Sequence, residues 1–277
     1  MPRAASASLG GGEAEHVPVG APSPLSRSVG ETLRVSLEWD ARTYDHISDP
    51  MTRWGAAVVN RLRLEGNERV LDAGCGTGRV TEMLLGRLPR GQVVALDASG
   101  EMLAEARRRL EQFEGRVEFV LADLAKPVSI DPVDAILSTA TFHWVHDHNA
   151  LVSNLASVLR PGGQLEAQCG GVGNISSVQA VLRTLGQRTD GVYFPTPDEM
   201  TWRLQTAGFE EVHAWLQPEP TALALGEPLE RFLETVVLRS HVAHMSEAER
   251  RAFVHEVVRR LPSPEIDFVR LNISARR

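Results

Sequence analysis

Residues able to do chemistry gather in two stretches of this 277-residue chain. The first is RVLDAGCGTGRV over residues 69–80, in which an apolar run enters a glycine-rich turn and leaves it as a helical pattern. Gly74, Gly76 and Gly78 remove Cβ atoms where the backbone must turn, so a ligand can lie against main-chain N–H groups at the next helix's N-terminus. Asp72 stands just before the first glycine, where a carboxylate suits an ammonium or sulfonium better than a pyrophosphate. The second stretch, TATFHWVHDH over residues 139–148, carries His143, His146 and His148 around Trp144.

Two readings compete for the glycine turn. In the dinucleotide pattern GxGxxG the third glycine site falls on Arg79, too large for the close helix–strand contact made there. That weakens a nicotinamide-dependent oxidoreductase as the alternative enzyme. The turn VLDAGCGTG resembles motif I of the class I S-adenosylmethionine-dependent methyltransferases. Residues 93–97, VVALD, read as a second strand closed by an acid that can reach ribose hydroxyls, and residues 117–121 as a third strand before Ala122, Asp123 and Leu124. Any one of these acids equally suits a helix N-cap or a solvated loop; three in order, each closing an apolar strand on the ligand side of an open sheet, favour a binding site.

The resemblance implies an α/β, Rossmann-like fold with a mostly parallel seven-stranded sheet, helices on both faces and a helical lid insertion. It implies S-adenosyl-L-methionine as cofactor, contacted by Asp72, Gly74, Cys75, Gly76 and Gly78 of the turn, Asp97 and Ala98 after the second strand, and Met102 on the next helix. Ala122, Asp123 and Leu124 would meet the adenine, Thr139 would lie at the fourth strand's end, and Tyr44 would fold over the cofactor from an N-terminal helix. Within the family, FHWVHD and a late helical insertion resemble the trans-aconitate methyltransferase group, which esterifies small carboxylic acids; where that group commonly has glutamine before the tryptophan, this chain has His143.

The three histidines do not share one helix face at metal-ligand spacing, so no metal is expected. Asp147 reads as the cap of a helix over residues 148–159, with His146 and His148 at its solvated start. His143 and Trp144 are the candidate acceptor-binding residues. His143 is either a general base for a hydroxyl acceptor or a pocket-lining residue beside a carboxylate acceptor, which is already ionised and needs no base. A noncatalytic cofactor-binding regulatory protein is a third reading.

These residues require strands and helices in βαβ order. Apolar periodicity predicts helices before the first strand, with Asp49-Pro50 as a break, then a crossover helix over 79–88. Ser99 is expected to cap the next helix. A fourth strand is expected over 131–138, and ARG-PRO-GLY-GLY at 160–163 reads as a helix stop before a fifth. Gly170, Gly171 and Gly173 read as a flexible joint, followed by helices over 175–185 and 197–207 and a strand over 212–216. Amphipathic helices over 229–244 and 246–261, within an insertion of about 227–262, precede a last strand at 266–273. Residues 1–35, rich in Ala, Ser, Gly and Pro, are expected as a disordered tail ahead of one domain over 36–277.

With 43% hydrophobic residues the chain can build a sizeable core. A net charge of −7 argues against nucleic acid as the main substrate. No membrane-length apolar run or secretory h-region occurs, so a cytoplasmic monomer or homodimer acting on a small molecule is expected. Two cysteines, Cys75 and Cys169, make no disulfide framework.

Overall fold

The computed structural model describes residues 49–277. Tyr44, the first of the expected N-terminal helices and the expected tail lie outside the described residues. Helix α1 (Asp49–Arg61) begins at the Asp49-Pro50 break, consistent with proline's tolerance in a first helical turn. Two strand–helix units follow, β1 (Arg69–Ala73) with α2 (Arg79–Gly86) and β2 (Gln92–Asp97) with α3 (Gly100–Arg109), and then β3 (Val117–Leu121). The chain crosses to β4 (Val133–Thr139), a 3₁₀ turn at Phe142–Trp144, α4 (His148–Val158) and β5 (Leu159–Gly170). Next come α5 (Ser176–Thr184), α6 (Pro197–Thr206) and β6 (Glu210–Pro218). The short strand β7 (Thr221–Ala222) leads into the insertion, formed by α7 (Glu227–Phe232), a π-helical turn at Leu233–Val237, α8 (Arg239–Val242) and α9 (Glu247–Arg260). Strands β8 (Glu265–Ile266) and β9 (Val269–Arg276) end the chain.

Seven strands form one sheet in the order β3-β2-β1-β4-β5-β9-β6. Strand β9 runs antiparallel to both β5 and β6, and the other pairings are parallel. Helices cover both faces, so strand residues alternate between two cores rather than between core and water. Leu71, Leu96 and Ile136 pack with α4 and α6 residues such as Leu151, Leu155 and Leu204. Val70, Val93 and Leu137 point to the opposite face, against Val58 and Leu62 of α1 and Leu84 of α2. A separate cluster joins Trp54, Val178, Leu229, Phe232, Val257 and Phe268, giving the insertion an apolar core of its own.

Several local expectations need correction. The helix expected over 229–244 is broken because Thr235, Val236 and Val237 form a β-branched run, poor in helix propensity, where the structure has a π turn. The expected last strand is split at Asp267, whose carboxylate accepts hydrogen bonds from Ser176 and Ser177 at the start of α5. Gly170 and Gly171 are close-approach positions rather than a joint: a Cβ would come 2.6 Å from Phe194 at Gly170 and 2.6 Å from Leu216 at Gly171. Capping follows the sequence more closely. Ser99 accepts from the Met102 N–H, and Asp147 accepts from the Ala150 N–H at 2.9 Å.

Candidate active site at the carboxyl edge of the sheet

Because the chain leaves β1 toward β2 and β3 on one side and returns to β4 on the other, the sheet has its switch point between β1 and β4, where open α/β sheets bind ligands. The glycine turn sits there. A Cβ on Gly74 would stand 2.1 Å from Thr141 Oγ1, so glycine is needed for β1 and β4 to close on each other. Gly76 differs: its φ is +54° and a Cβ there would meet no atom within 4 Å, which leaves open space over the turn. Gly78 packs against Ala106 of α3, while Arg79 turns away and donates to Thr52 on α1 at 3.0 Å. The close contact that the dinucleotide pattern assigns to its third glycine site is therefore not made by residue 79.

Asp97 ends β2 facing the turn: one carboxylate oxygen accepts from the Gly76 N–H at 2.8 Å and the other from the Ser99 N–H at 2.9 Å. Burial raises its pKa, opposed by those backbone bonds. Ala98 is exposed beside it, and Met102 is buried in the first turn of α3. Ala122 donates to the Asp97 carbonyl at 3.0 Å, which brings the third strand end to the second. Asp123 is half-buried and accepts from the Ala125 N–H at 2.9 Å. The Leu124 side chain belongs to the core with Leu71 and Leu96, leaving its backbone for any ligand contact.

Asp72 lies beneath the turn rather than on its open face. Strand alternation points it with Val70 toward α2, where Thr81 donates to its Oδ2 at 2.6 Å; it is 0% exposed, and its Oδ1 has no hydrogen-bond partner. Burial, with the Asp97 charge adding to it, pushes its pKa to about 7 against the Thr81 bond. Attraction to a cationic ligand would act across the turn. Cys75 is buried in the same turn, and burial together with Asp72 and Asp97 keeps its thiol well above the usual range, which removes thiolate chemistry.

On the other side of the switch point, a cleft of about 770 Å³, counting the solvent at its mouth, opens beside Ala140, His143 and Trp144. Thr139, the last residue of β4, has its carbonyl bonded by Thr141 Oγ1 at 2.9 Å. Ala140 follows with φ 54°, a left-handed conformation uncommon for alanine, and its N–H is tied to the Gln168 carbonyl at 2.7 Å. His143 is 9% exposed and takes the Gly170 N–H on Nδ1 at 3.4 Å. That bond assigns the ring proton to Nε2, so the free ring nitrogen is a donor. Burial, then the Arg270 charge, then His148 hold its pKa well below the ordinary histidine value, and the ring is neutral at working pH. It is flanked by Trp144 at 5.2 Å and Phe194 at 5.9 Å between ring centroids.

His146 is exposed, as expected of a helix start, but His148 is not solvated. It is 2% exposed, with Nε2 donating to the Phe142 carbonyl at 2.9 Å and its ring edge-on to Tyr193 at 4.9 Å. The apolar surface of α4 must face the sheet, and His148 lies on that side with Leu151 and Val152. It supports the turn carrying His143 and stands apart from the cleft lining.

Sequence reasoning missed most of the cleft. Trp54 of α1, Phe194, Phe268, and Val236 and Val237 of the π turn line it, together with Arg270 on β9. Arg270 is 3% exposed and its guanidinium lies 4.6 Å from the centre of the Trp54 ring. An arginine inside the apolar strand pattern FVRLNIS was the one available signal.

The chain matches the family model for a methyltransferase domain over residues 70–163. It is 35% identical over 179 residues to a trans-aconitate 2-methyltransferase of Methylobacterium nodulans, covering 65% of this chain and 67% of that protein. The chain belongs to the class I S-adenosylmethionine-dependent methyltransferases. A trans-aconitate 2-methyltransferase of Azoarcus sp. is 39% identical over 130 residues, 47% of this chain and 50% of that one, so for this relative the match spans only half the methyltransferase. The fold also matches the phosphoethanolamine N-methyltransferase 2 of Haemonchus contortus, solved with S-adenosylhomocysteine, at a TM-score of 0.61 and 18% identity, over 86% of this chain and 56% of that one. At that identity the likeness concerns the methyltransferase fold alone. Among the described residues no helix is long and apolar enough to cross a membrane.

Proposed function

We propose that this methyltransferase transfers a methyl group to the carboxylate oxygen of a small-molecule acceptor. The residues at the turn fit the cofactor: space over Gly76, the Asp97 carboxylate, and the unpartnered, buried Asp72 Oδ1 beneath it. Gly74 and Gly76 would hold its amino acid portion, Asp97 its ribose hydroxyls, and Met102 with residues 122–124 its adenine. Tyr44 is proposed to close over it from outside the described residues. When bound, S-adenosylmethionine supplies an electrophilic methyl group on a positively charged sulfur.

The observation that carries the choice of acceptor is the Gly170 N–H on His143 Nδ1. A general base needs a free lone pair and a pKa near the working pH; His143 has its lone pair engaged and its pKa depressed. A carboxylate needs no base. Its oxygen would take the methyl group while the carbon–sulfur bonding pair stays on sulfur, so the two charges would cancel and no proton would need to move. His143 Nε2–H donates to the acceptor, while the cleft walls align it and exclude water. The trans-aconitate relatives, named for a carboxylic acid, agree with this chemistry.

Replacing His143→Gln keeps a side-chain N–H donor and removes the imidazole. Initial rates should stay within about tenfold of the parent and show no new pH step in the neutral range, since loss of a general base costs about a hundredfold or more. A collapsed rate that recovers at high pH would show that His143 is a base and the acceptor a hydroxyl.

A further inference from the structure

Three residues that line the cleft meet around Gly170, the last residue of β5. Its N–H goes to His143 Nδ1, and a Cβ on it would stand 2.6 Å from the Phe194 ring and 2.9 Å from Asn174 Nδ2. Asn174 is 4% exposed and belongs to the turn after β5, where its own N–H returns to the Gly171 carbonyl at 3.0 Å. The ladder between β5 and β9 ends at the Gly170–Arg270 pair. Just beyond it, the Val269 N–H donates to Asn174 Oδ1 at 3.0 Å. That backbone donor fixes the amide's orientation, because only the oxygen can accept it. The nitrogen is the half of the amide that capping the ladder does not use. No described residue takes a hydrogen bond from Nδ2, and a buried donor is costly to leave unmet.

We propose, resting on the carboxylate reading above, that Asn174 is a specificity-determining residue for the acceptor, its Nδ2–H and the His143 Nε2–H together taking the acceptor's carboxylate. Both side chains turn an acceptor atom to a backbone N–H, His143 Nδ1 to Gly170 and Asn174 Oδ1 to Val269, and so present a donor to the cleft. An ionised carboxylate only accepts hydrogen bonds, and its bonds with donors are stronger than those of a neutral oxygen. Each of its oxygens has two lone pairs, so one is left to take the methyl group. An alcohol or a primary amide brings a hydrogen of its own, which the donor pair cannot receive. Thr189, Ser240 and Gln179, elsewhere in the lining, carry groups that both donate and accept and so do not sort acids from alcohols. The pair at Gly170 does.

The test uses the full chain at about pH 8, where carboxylic acids in solution are ionised. The probes are trans-aconitate, hexanoate and phenylpropanoate, with hexanamide, hexanol and phenylpropanol as uncharged counterparts. Binding is read by calorimetry on protein saturated with S-adenosylhomocysteine, and methyl transfer from S-adenosylmethionine by mass spectrometry. Asn174→Asp keeps an oxygen for the Val269 N–H and puts a second oxygen where the Nδ2–H donor was. It should weaken binding of the best acid, and raise its KM, by about tenfold or more, with a smaller change in kcat. Binding of the amide and the alcohols should be no weaker than in the parent. Unchanged acid binding, or an equal loss for acid, amide and alcohol, would overturn the role of Asn174 while leaving carboxylate methylation standing. Methylation of the alcohols but not the acids by the parent would overturn both, and so would failure of every acid to bind or react. Should Asn174→Asp not fold, a crystal structure of the parent with S-adenosylhomocysteine and the best acid decides: a carboxylate oxygen about 3 Å from Asn174 Nδ2 is expected, and one out of hydrogen-bond reach would overturn the assignment.

Discussion

Asp72 shows how one residue can couple ligand and proton. Its folded pKa of about 7 lies above the unfolded value of about 3.9, so the native state holds a proton that the unfolded chain has released between those values. The stability this contributes is complete below the unfolded pKa and is lost as pH rises through about 7. Asp72→Asn, which keeps an oxygen for the Thr81 hydroxyl, should therefore stabilise the ligand-free protein at mildly alkaline pH by about 1–3 kcal/mol. The difference should shrink as pH falls below about 7 and vanish only below about 3.9, where the unfolded aspartate is protonated as well. The same substitution should weaken S-adenosylmethionine binding most at high pH, because only the ionised carboxylate attracts the cofactor's positive charge across the turn. Denaturant unfolding and calorimetric titration across the pH range check both effects. A variant equal to the parent in stability at every pH would show that Asp72 ionises freely in the fold.

At the scale of elements, the insertion divides into a firm and a soft part. Helix α9 has a reciprocal capping box between Ser246 and Glu249 and runs for 14 residues. The π turn and the four-residue α8 have neither advantage, yet they supply Val236, Val237 and His241 to the cleft. Short elements of this kind open at low free-energy cost. Amide hydrogen exchange in Leu233–Val237 and α8 should slow by about tenfold or more when S-adenosylhomocysteine and an acceptor acid bind together, with α9 little changed. Identical exchange with and without ligands would rule out closure of this segment over the acceptor.

Across the whole molecule, Arg61 ties the helix before the sheet to strands far along the chain. It donates to Glu166 at 2.7 Å, to Asn272 at 2.9 Å and to the Ala167 carbonyl at 2.9 Å, and lies 5.3 Å from the centre of the Trp215 ring. Glu166 is 5% exposed, so Arg61→Ala would strand a buried carboxylate. A loss of about 3–5 kcal/mol is expected in urea unfolding, with Arg61→Lys intermediate. A loss under about 1 kcal/mol would mean that Glu166 protonates or finds water instead.

The strand ends and glycine turn proposed to hold the cofactor were legible because they are local. Each strand end, its acid and the following turn are contiguous in sequence, and steric rules for glycine, strand alternation and helix capping act within a few residues; that determined β1 to β4, the glycine turn, the Ser99 and Asp147 caps and the family resemblance. Asp72 was located but not its depth, since burial depends on α2 packing over it. The cleft proposed for the acceptor was decided only by the tertiary structure. Trp54, His143, Phe194, Val237 and Arg270 come from segments up to the length of the domain apart, and no periodicity marks residues that meet across a sheet edge. His143 illustrates the reason: its proton position, its neutrality and hence its chemistry follow from the Gly170 N–H and from Arg270 on β9, neither of which is near it in the chain.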